Sequence, residues 1–227
     1  MHLFILDPYD TYKAIAAVVA FLAIFFSCAA GSAAYGQNGG EKTDPTVLTD
    51  TERAKAIQYL EQTKKKLTAE LSGLTDRQLY YKASDDRWSV AEVAEHIIVA
   101  EQRISELISE TIAKSPENAS PDVHRFNDTA IPLAITNRNQ KFTAPPVVQP
   151  NGRWKSRDEL LSEWDTSREK TIDFLRTTQT NLRTRFAENP VLGTIDAFQW
   201  IIFLDSHSRR HLAQIAEIKA EAGYPSK

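Results

Sequence analysis

Helical periodicity over long segments is the feature that most restricts the fold of this chain. Apolar residues recur three and four positions apart, and no stretch alternates apolar and polar residues in the way a half-buried strand does. Four helices are predicted: about Asp50 to Leu74, Ser89 to Lys114, Ser156 to Thr178 and Thr194 to Gly223. With no strand expected, the pattern predicts an all-α fold, a four-helix bundle.

Local signals mark the ends of these predicted helices. Ser89 followed by Glu92, and Ser156 followed by Glu159, each have the spacing of a capping box at a helix start. Gly223 is predicted to be the residue just after the fourth helix, because glycine adopts the left-handed conformation that commonly ends a helix.

A long connection separates the second and third predicted helices. Residues 115–155 are rich in proline, with Pro121, Pro132, Pro145, Pro146 and Pro150 among them. So long a stretch without regular structure is unusual in a compact domain. We interpret it as a long crossover connection that either has a function, such as a lid, or wraps the surface.

The N-terminal region differs in composition from the rest of the chain. Residues 14–30, AIAAVVAFLAIFFSCAA, form a nearly unbroken apolar run, and small residues follow it up to Gly36. This order is typical of an export signal. We therefore predict that residues 1–36 are a signal peptide, residues 37–48 a polar linker and residues 49–227 the folded domain.

Two other interpretations of the N-terminal region bear on location. The apolar run is close to the length that spans a bilayer, so residues 14–30 are alternatively an N-terminal membrane anchor. A lipoprotein cut before Cys28 is disfavoured, because Phe25, Phe26 and Ser27 do not resemble the small residues expected there. The expected location is thus exported, periplasmic or secreted, or membrane-anchored. Loss of Cys28 with the signal suits an oxidising compartment.

Charge and cysteine content exclude several classes of protein. The net charge is −3 and the chain has one cysteine, so neither an internal disulfide nor a cysteine-rich zinc site can form. Arg209, Arg210 and Lys219 are too few for a nucleic-acid surface and are predicted to form a solvated helix face. We therefore expect no nucleic-acid partner.

Three histidines lie on predicted buried faces. His207 and His211 are four residues apart, so both imidazoles lie on one side of a helix, the side that also carries Trp200 and Leu204. His96 lies on the core-facing stripe of the second predicted helix. Polar rings on a buried face need partners, and three imidazoles can share one divalent ion. His96, His207 and His211 are therefore the predicted metal ligands; the alternative is three hydrogen-bonded core histidines.

Two motifs in this order resemble a known family. RWSVAEVAEH, residues 87–96, resembles the W-[ST]-x-x-E-x-x-x-H segment of the DinB-like (YfiT-like) four-helix bundle superfamily. HSRRHLAQI, residues 207–215, resembles its H-x-x-x-H-x-x-Q signature on the last helix. APPVVQPNGRWKSRDELL, residues 144–161, is similar to the segment before the third helix of that family. The resemblance extends from about Thr49 to Pro225.

The resemblance implies a divalent metal, often nickel or zinc, held by three histidines that map to His96, His207 and His211. Three protein ligands leave coordination positions open for water or substrate, and metal-bound water can act as a nucleophile near neutral pH. The implied function is that of a metal-dependent hydrolase or a thiol-type transferase acting on an unknown small molecule. An exported location weakens the transferase version, because cytosolic thiol cofactors are absent there.

The three-histidine pattern is also compatible with functions other than catalysis. A non-catalytic metal- or ligand-binding bundle with a stress-related role is one alternative, and a structural bundle without a metal is another. A homodimer is compatible with each.

Gln214 and Glu92 are candidates to orient the imidazoles, although Glu92 is also the predicted capping residue. Trp88 and Trp164 are predicted to belong to the core or, alternatively, to line a cavity beside the ion.

Overall fold

The structure, a computed structural model, describes residues 47–116 and 127–226, and helices account for most of them. In chain order the helices are α1 (Asp50–Leu71), α2 (Asp76–Leu79), α3 (Val90–Lys114), α4 (Ala130–Thr136), α5 (Arg157–Thr177) and α6 (Ala197–Lys219). Two strands, β1 (Phe186–Asn189) and β2 (Gly193–Asp196), and two 3-10 turns, Pro146–Val148 and Leu182–Thr184, complete the regular elements of these ranges. No helix within them is both long and apolar enough to cross a bilayer.

The four long helices α1, α3, α5 and α6 form the predicted bundle. Both α1 and α3 pack against α5 and against α6, so α1 and α3 lie diagonally although they are consecutive long helices in the chain. The predicted crossover connects α3 to α5 and carries α4, which packs on α6. The all-α four-helix fold is therefore confirmed. The predicted signal peptide or anchor lies outside the described residues, and export and a homodimer stay predictions.

Three of the four long helices, α1, α3 and α5, begin where the sequence predicts. At α3 the reciprocal capping box is complete: Glu92 N–H donates to Ser89 Oγ at 3.2 Å, and Ser89 N–H donates to the Glu92 carboxylate at 2.7 Å. At α5 only half of the predicted box forms. Glu159 N–H donates to Ser156 Oγ, but the Glu159 carboxylate accepts the N–H of Lys155 rather than that of Ser156.

The predicted bounds of the fourth long helix, α6, are wrong at both ends. It begins at Ala197 instead of Thr194, because the preceding residues form β2 and Asp196 caps the helix. It ends at Lys219, four residues before Gly223. Gly223 instead lies where the chain passes close to Tyr81: a Cβ at this position would lie 2.7 Å from the Tyr81 hydroxyl oxygen, so a larger residue would displace the end of the Tyr81 side chain.

The expectation that no strand would occur is also wrong, since β1 and β2 form an antiparallel hairpin. Each strand has four residues, too few to show a clear alternation of apolar and polar side chains. The turn depends on Asn189, whose side-chain oxygen accepts the N–H groups of Val191 and Leu192, and on Gly193 with φ +73°. The 115–155 connection likewise contains α4 and a 3-10 turn where an irregular segment was expected.

Two apolar clusters fill the bundle, and a polar layer separates them. Each long helix contributes to both clusters. One contains Leu60, Ile104, Ile172, Leu175, Trp200 and Leu204, and the other contains Leu67, Leu71, Ile97, Trp164, Leu212 and Ile215. Every long helix contributes at least one buried polar residue to the layer between them. Thr63, Glu101, Arg168 and Ser208 lie at the centre of this layer.

Arg168 joins all four long helices in this layer. Its guanidinium is fully buried and makes a two-point ion pair with the Glu101 carboxylate, with Nη2 2.6 Å from Oε2 and Nε 2.8 Å from Oε1. It also donates to Thr63 Oγ1 at 2.6 Å and to Ser208 Oγ at 2.8 Å. A buried charge is stable only when paired and hydrogen-bonded, and these contacts meet that requirement.

Removing Arg168 is predicted to destabilise the bundle strongly. Arg168→Met leaves the Glu101 carboxylate buried without its partner, and we expect the free energy of unfolding to fall by about 3–5 kcal/mol. Urea unfolding of the wild type and the variant measures it. The control is Arg176→Met on the same helix, since Arg176 and Glu61 are both about half exposed (47% and 45%) and should lose less than about 1 kcal/mol. Equal losses in the two variants would contradict the account.

Candidate metal centre

Three histidines from two helices meet on the contact between α3 and α6. His96 projects from α3, and His207 and His211 project from consecutive turns of α6. One ring nitrogen from each lies within 4.8 Å of the others. The spacing of four residues aligns the α6 pair, and packing of α3 on α6 adds the third ring. The structure thus brings together all three residues that the sequence singled out.

The spacing of these nitrogens suits a shared ion. His96 Nε2 lies 3.3 Å from His207 Nε2 and 3.2 Å from His211 Nε2. Two imidazole nitrogens bound to one tetrahedral zinc ion, each at about 2.0–2.1 Å, are separated by about 3.3–3.4 Å. The two nitrogen separations that involve His96 therefore have the length expected in a three-histidine coordination site.

Hydrogen bonds at Nδ1 determine which nitrogen carries a lone pair in two of the three rings. His96 Nδ1 lies 2.7 Å from the Val148 carbonyl oxygen, and His211 Nδ1 lies 2.8 Å from the Gln214 side-chain oxygen. Both oxygens accept, so in the neutral rings Nδ1 carries the proton and Nε2 a lone pair. Two lone pairs then face each other across 3.2 Å. This arrangement is repulsive alone and favourable around a cation, so the donor set fits a divalent metal.

Burial keeps these rings neutral. His96 and His211 are 3% and 8% exposed, and His207 is half-buried. Loss of hydration lowers the pKa of His96, and it lowers the pKa of His211 to about 3, with a further contribution from the neighbouring His96. Burial, followed by the charges of His211 and His96, holds the pKa of His207 well below its usual value. Neutral imidazoles are the form that binds a metal.

The predicted supporting residues divide into two groups. Gln214 orients His211, as expected. Glu92 does not orient His96, because its carboxylate caps α3 and lies 3.1 Å from Lys82 Nζ. The partner of His96 is instead the carbonyl of Val148, at the end of the crossover. Val148 lies within the 144–161 segment that resembles the family, but the resemblance does not show which of its carbonyls reaches His96.

Aromatic rings lie beside the histidines. The Trp88 ring centroid is 5.0 Å from that of His96, and the Phe203 centroid is 6.2 Å from that of His207. Trp88 is half-buried, so it lines the centre while also packing on the core. Trp164 belongs to the core alone, where its Nε1–H donates to the carbonyl of Lys64. Phe203 was not singled out from the sequence.

The prediction that Arg209, Arg210 and Lys219 form a solvated face of α6 is wrong at Arg210. This side chain is buried and donates hydrogen bonds to the carbonyls of Ile135, Asn137 and Gln140, so it holds the start of the crossover segment against α6. Arg209 is half-exposed and pairs with Asp205 at 2.7 Å. A helical angle alone could not show that a chain segment covers the outer side of α6.

Comparisons with known proteins agree with this fold. Uncharacterized protein YuaE of Bacillus subtilis (strain 168) is 28% identical over 150 residues, which cover 66% of this chain and 88% of YuaE. The solved structure of YfiT from Bacillus subtilis, described as a probable metal-dependent hydrolase with an unusual four-helix bundle topology, superposes with a TM-score of 0.54. It is 18% identical and covers 84% of this chain and 96% of YfiT, a likeness that shows the shared fold.

A family match covers both histidine-bearing helices. The model of the DinB superfamily matches residues 59–215, which include most of α1, all of α3 and α5, and α6 through Ile215. That range is more than half of the chain and includes the resemblance motifs around His96 and His207. The chain therefore belongs to the DinB superfamily.

Proposed function

We propose that this protein is a metal-dependent hydrolase whose divalent ion, Zn²⁺ or Ni²⁺, is held by His96, His207 and His211. The observation that carries the proposal is the pair of Nε2 lone pairs that face each other at 3.2 Å in a buried site. The description of YfiT as a probable metal-dependent hydrolase supports the same reaction class.

The residues around the site suit a catalytic ion. Three imidazole ligands are the number typical of catalytic zinc sites, and a divalent ion there supplies Lewis-acid chemistry that polarises a substrate oxygen or acidifies water. Val148 and Gln214 orient two of the rings, which keeps their lone pairs directed at one point. His207 is the most exposed of the three ligands, so we infer that a small-molecule substrate reaches the cluster from its side.

One observation favours a second candidate, a non-catalytic metal-binding bundle. Within the described residues, the cluster that could hold an ion consists of three imidazoles and includes no carboxylate that could act as a general base. In this alternative the ion stabilises the bundle or senses a ligand without turnover. The two candidates predict the same metal content and differ in activity.

Metal content is the first test. Protein purified without a polyhistidine tag is expected to contain about one divalent ion per chain by elemental analysis, as one three-ligand site requires. His207→Ala removes a ligand and should lose most of this metal, whereas Arg176→Met, at an exposed position of α5, should retain it. Equal metal content in the wild type and His207→Ala would contradict the assignment.

Turnover separates the two candidate functions. Metal-loaded wild type is expected to hydrolyse at least one member of a panel of small esters, amides and phosphoesters. Chelation should abolish this activity and Zn²⁺ or Ni²⁺ should restore it, because the ion supplies the electrophile. Steady-state rates of wild type and His211→Ala, each with matched metal, measure it. Bound metal without metal-dependent hydrolysis would support the non-catalytic bundle instead.

The metal-free protein is predicted to lose stability below pH 6.5. An unfolded histidine titrates near pH 6.5, whereas His211 in the fold titrates at about 3. The unfolded state therefore binds the extra proton in this window, and the contribution of His211, complete above pH 6.5, falls by about 1.4 kcal/mol per pH unit as the pH decreases.

Urea unfolding with chelator at pH 7 and pH 5 measures this effect. Wild type should lose about 2 kcal/mol more than His211→Gln between the two pH values, since glutamine does not titrate. Identical losses in the two proteins would show that His211 is not held neutral by burial.

A further inference from the structure

We propose that Glu95 is a positioning residue for the metal centre, because its carboxylate docks the end of the crossover segment (residues 137–156) and so lets Val148 hold His96. The inference rests on the proposed metal site. It adds a residue that does not touch the ion and a coupling between ion binding and the conformation of the crossover segment.

The Glu95 carboxylate is surrounded by backbone donors. Glu95 is 3% exposed and projects from α3, next to His96. Its Oε1 accepts the N–H groups of Asn151 and Arg153 at 2.8 and 3.2 Å, and its Oε2 accepts the N–H of Gly152 at 3.0 Å. Three successive N–H groups that converge on one anion form a strong, charge-assisted binding site.

Gly152 allows the backbone to adopt this shape. Its φ is +74°, in the left-handed region where residues with a Cβ are strained. The sequence Pro150–Asn151–Gly152 is thus a turn folded around a carboxylate from α3. Docking of this turn consequently depends on the negative charge of Glu95 and on a glycine at position 152.

The residue two positions before this turn supplies the partner of His96. The Val148 carbonyl accepts His96 Nδ1–H at 2.7 Å and lies only three residues before Asn151. The adjacent residues Glu95 and His96 on α3 therefore hold two points of one short stretch of the crossover segment. If the turn leaves Glu95, the Val148 carbonyl leaves His96, and the ring is no longer held with its Nε2 lone pair toward His207 and His211.

The other end of the crossover segment is attached independently. Arg210 on α6 binds the carbonyls of Asn137 and Gln140, and Arg138 pairs with Glu217 through two hydrogen bonds of 2.6 and 3.0 Å. Loss of the Glu95 contacts therefore releases the end near residues 148–153 and leaves the start of the segment on α6. The buried residues of the two clusters of the bundle lie outside this stretch, whereas the small cluster that Val148 forms with Val99 and Ala100 of α3 is loosened with it.

Ion binding and docking of the turn must then favour each other. The docked turn orients His96 for the ion, so the ion stabilises the docked turn by the same free energy, because coupling between two binding events is reciprocal. Residues that orient a metal-bound histidine through its second nitrogen typically change metal affinity by about 10- to 100-fold when altered. Glu95 acts one step further out, through the carbonyl of Val148.

Zn²⁺ affinity of matched glutamine variants tests the proposal. In Glu95→Gln an amide N–H₂ replaces one carboxylate oxygen and faces a backbone donor, so we expect Zn²⁺ affinity, measured against a chromophoric chelator, to fall about tenfold or more. The control is Glu159→Gln. The Glu159 carboxylate accepts the N–H of Lys155 in the same segment at 2.6 Å, two residues beyond the N–H groups that Glu95 binds. Its affinity should stay within about twofold of wild type.

A second variant reaches the turn without changing Glu95. Gly152→Ala places a Cβ on a residue with φ +74°, 2.9 Å from the Lys155 ammonium nitrogen, and so strains the docked turn. We expect a loss of Zn²⁺ affinity in the same direction as in Glu95→Gln. This variant keeps the proposal testable if Glu95→Gln does not fold.

Amide hydrogen exchange supplies a readout that is independent of activity. The N–H groups of residues 151–153 should be protected in metal-free wild type, more protected with Zn²⁺, and fast-exchanging in Glu95→Gln. Unchanged Zn²⁺ affinity and unchanged exchange in both turn variants would overturn the role of Glu95 and leave the metal site intact. Wild type without measurable Zn²⁺ affinity would overturn the proposed function and this coupling together.

Discussion

The hydrogen-bonded guanidinium of Arg168 sets the relative positions of the four long helices. It contacts Glu101 on α3, Thr63 on α1 and Ser208 on α6, all in one buried layer. A side chain with fixed donor directions tolerates little sliding of one helix past another. His207 directly precedes Ser208, and His96 lies five residues before Glu101. The polar layer therefore sets the height at which the histidines of α3 and α6 meet.

A buried ion pair is a poor source of net stability, because desolvation of both charges offsets most of their attraction. Apolar clusters on either side of the layer supply the hydrophobic stabilisation of the bundle. We infer that the ion pair instead selects one register of the four helices along the bundle axis. Apolar side chains alone would permit several such registers. A metal centre assembled from two helices needs that register, since ligand nitrogens must meet within a few tenths of an ångström.

Features encoded within one helix could be predicted from the sequence. The starts of α3 and α5 follow from local capping residues, and the inward direction of His207 and His211 follows from their spacing on α6. Arg168 was detectable in the same way: at about 100° per residue it lies at the centre of the stripe formed by Leu161, Trp164, Ile172 and Leu175, where a charge demands a partner. Its partner Glu101, 67 residues earlier, could not be identified by periodicity.

Features that depend on distant backbone contacts could not be predicted. The carbonyl of Val148 and the turn around Glu95 lie in the 144–161 segment, whose resemblance to the family does not show its path over α3. The burial of Arg210 depends on the same connection. These contacts hold the crossover segment to both helices of the centre. In this DinB-superfamily protein the long connection is thus part of the site and not a spacer between helices.

The central claim is that one divalent ion lies between His96, His207 and His211. Anomalous X-ray diffraction from crystals of the metal-loaded protein, recorded at the absorption edge of the bound metal, tests it most directly. The account predicts a single anomalous peak about 2.0–2.1 Å from the Nε2 atoms of all three histidines. A peak elsewhere, or three imidazoles hydrogen-bonded to one another with no ion between them, would contradict it.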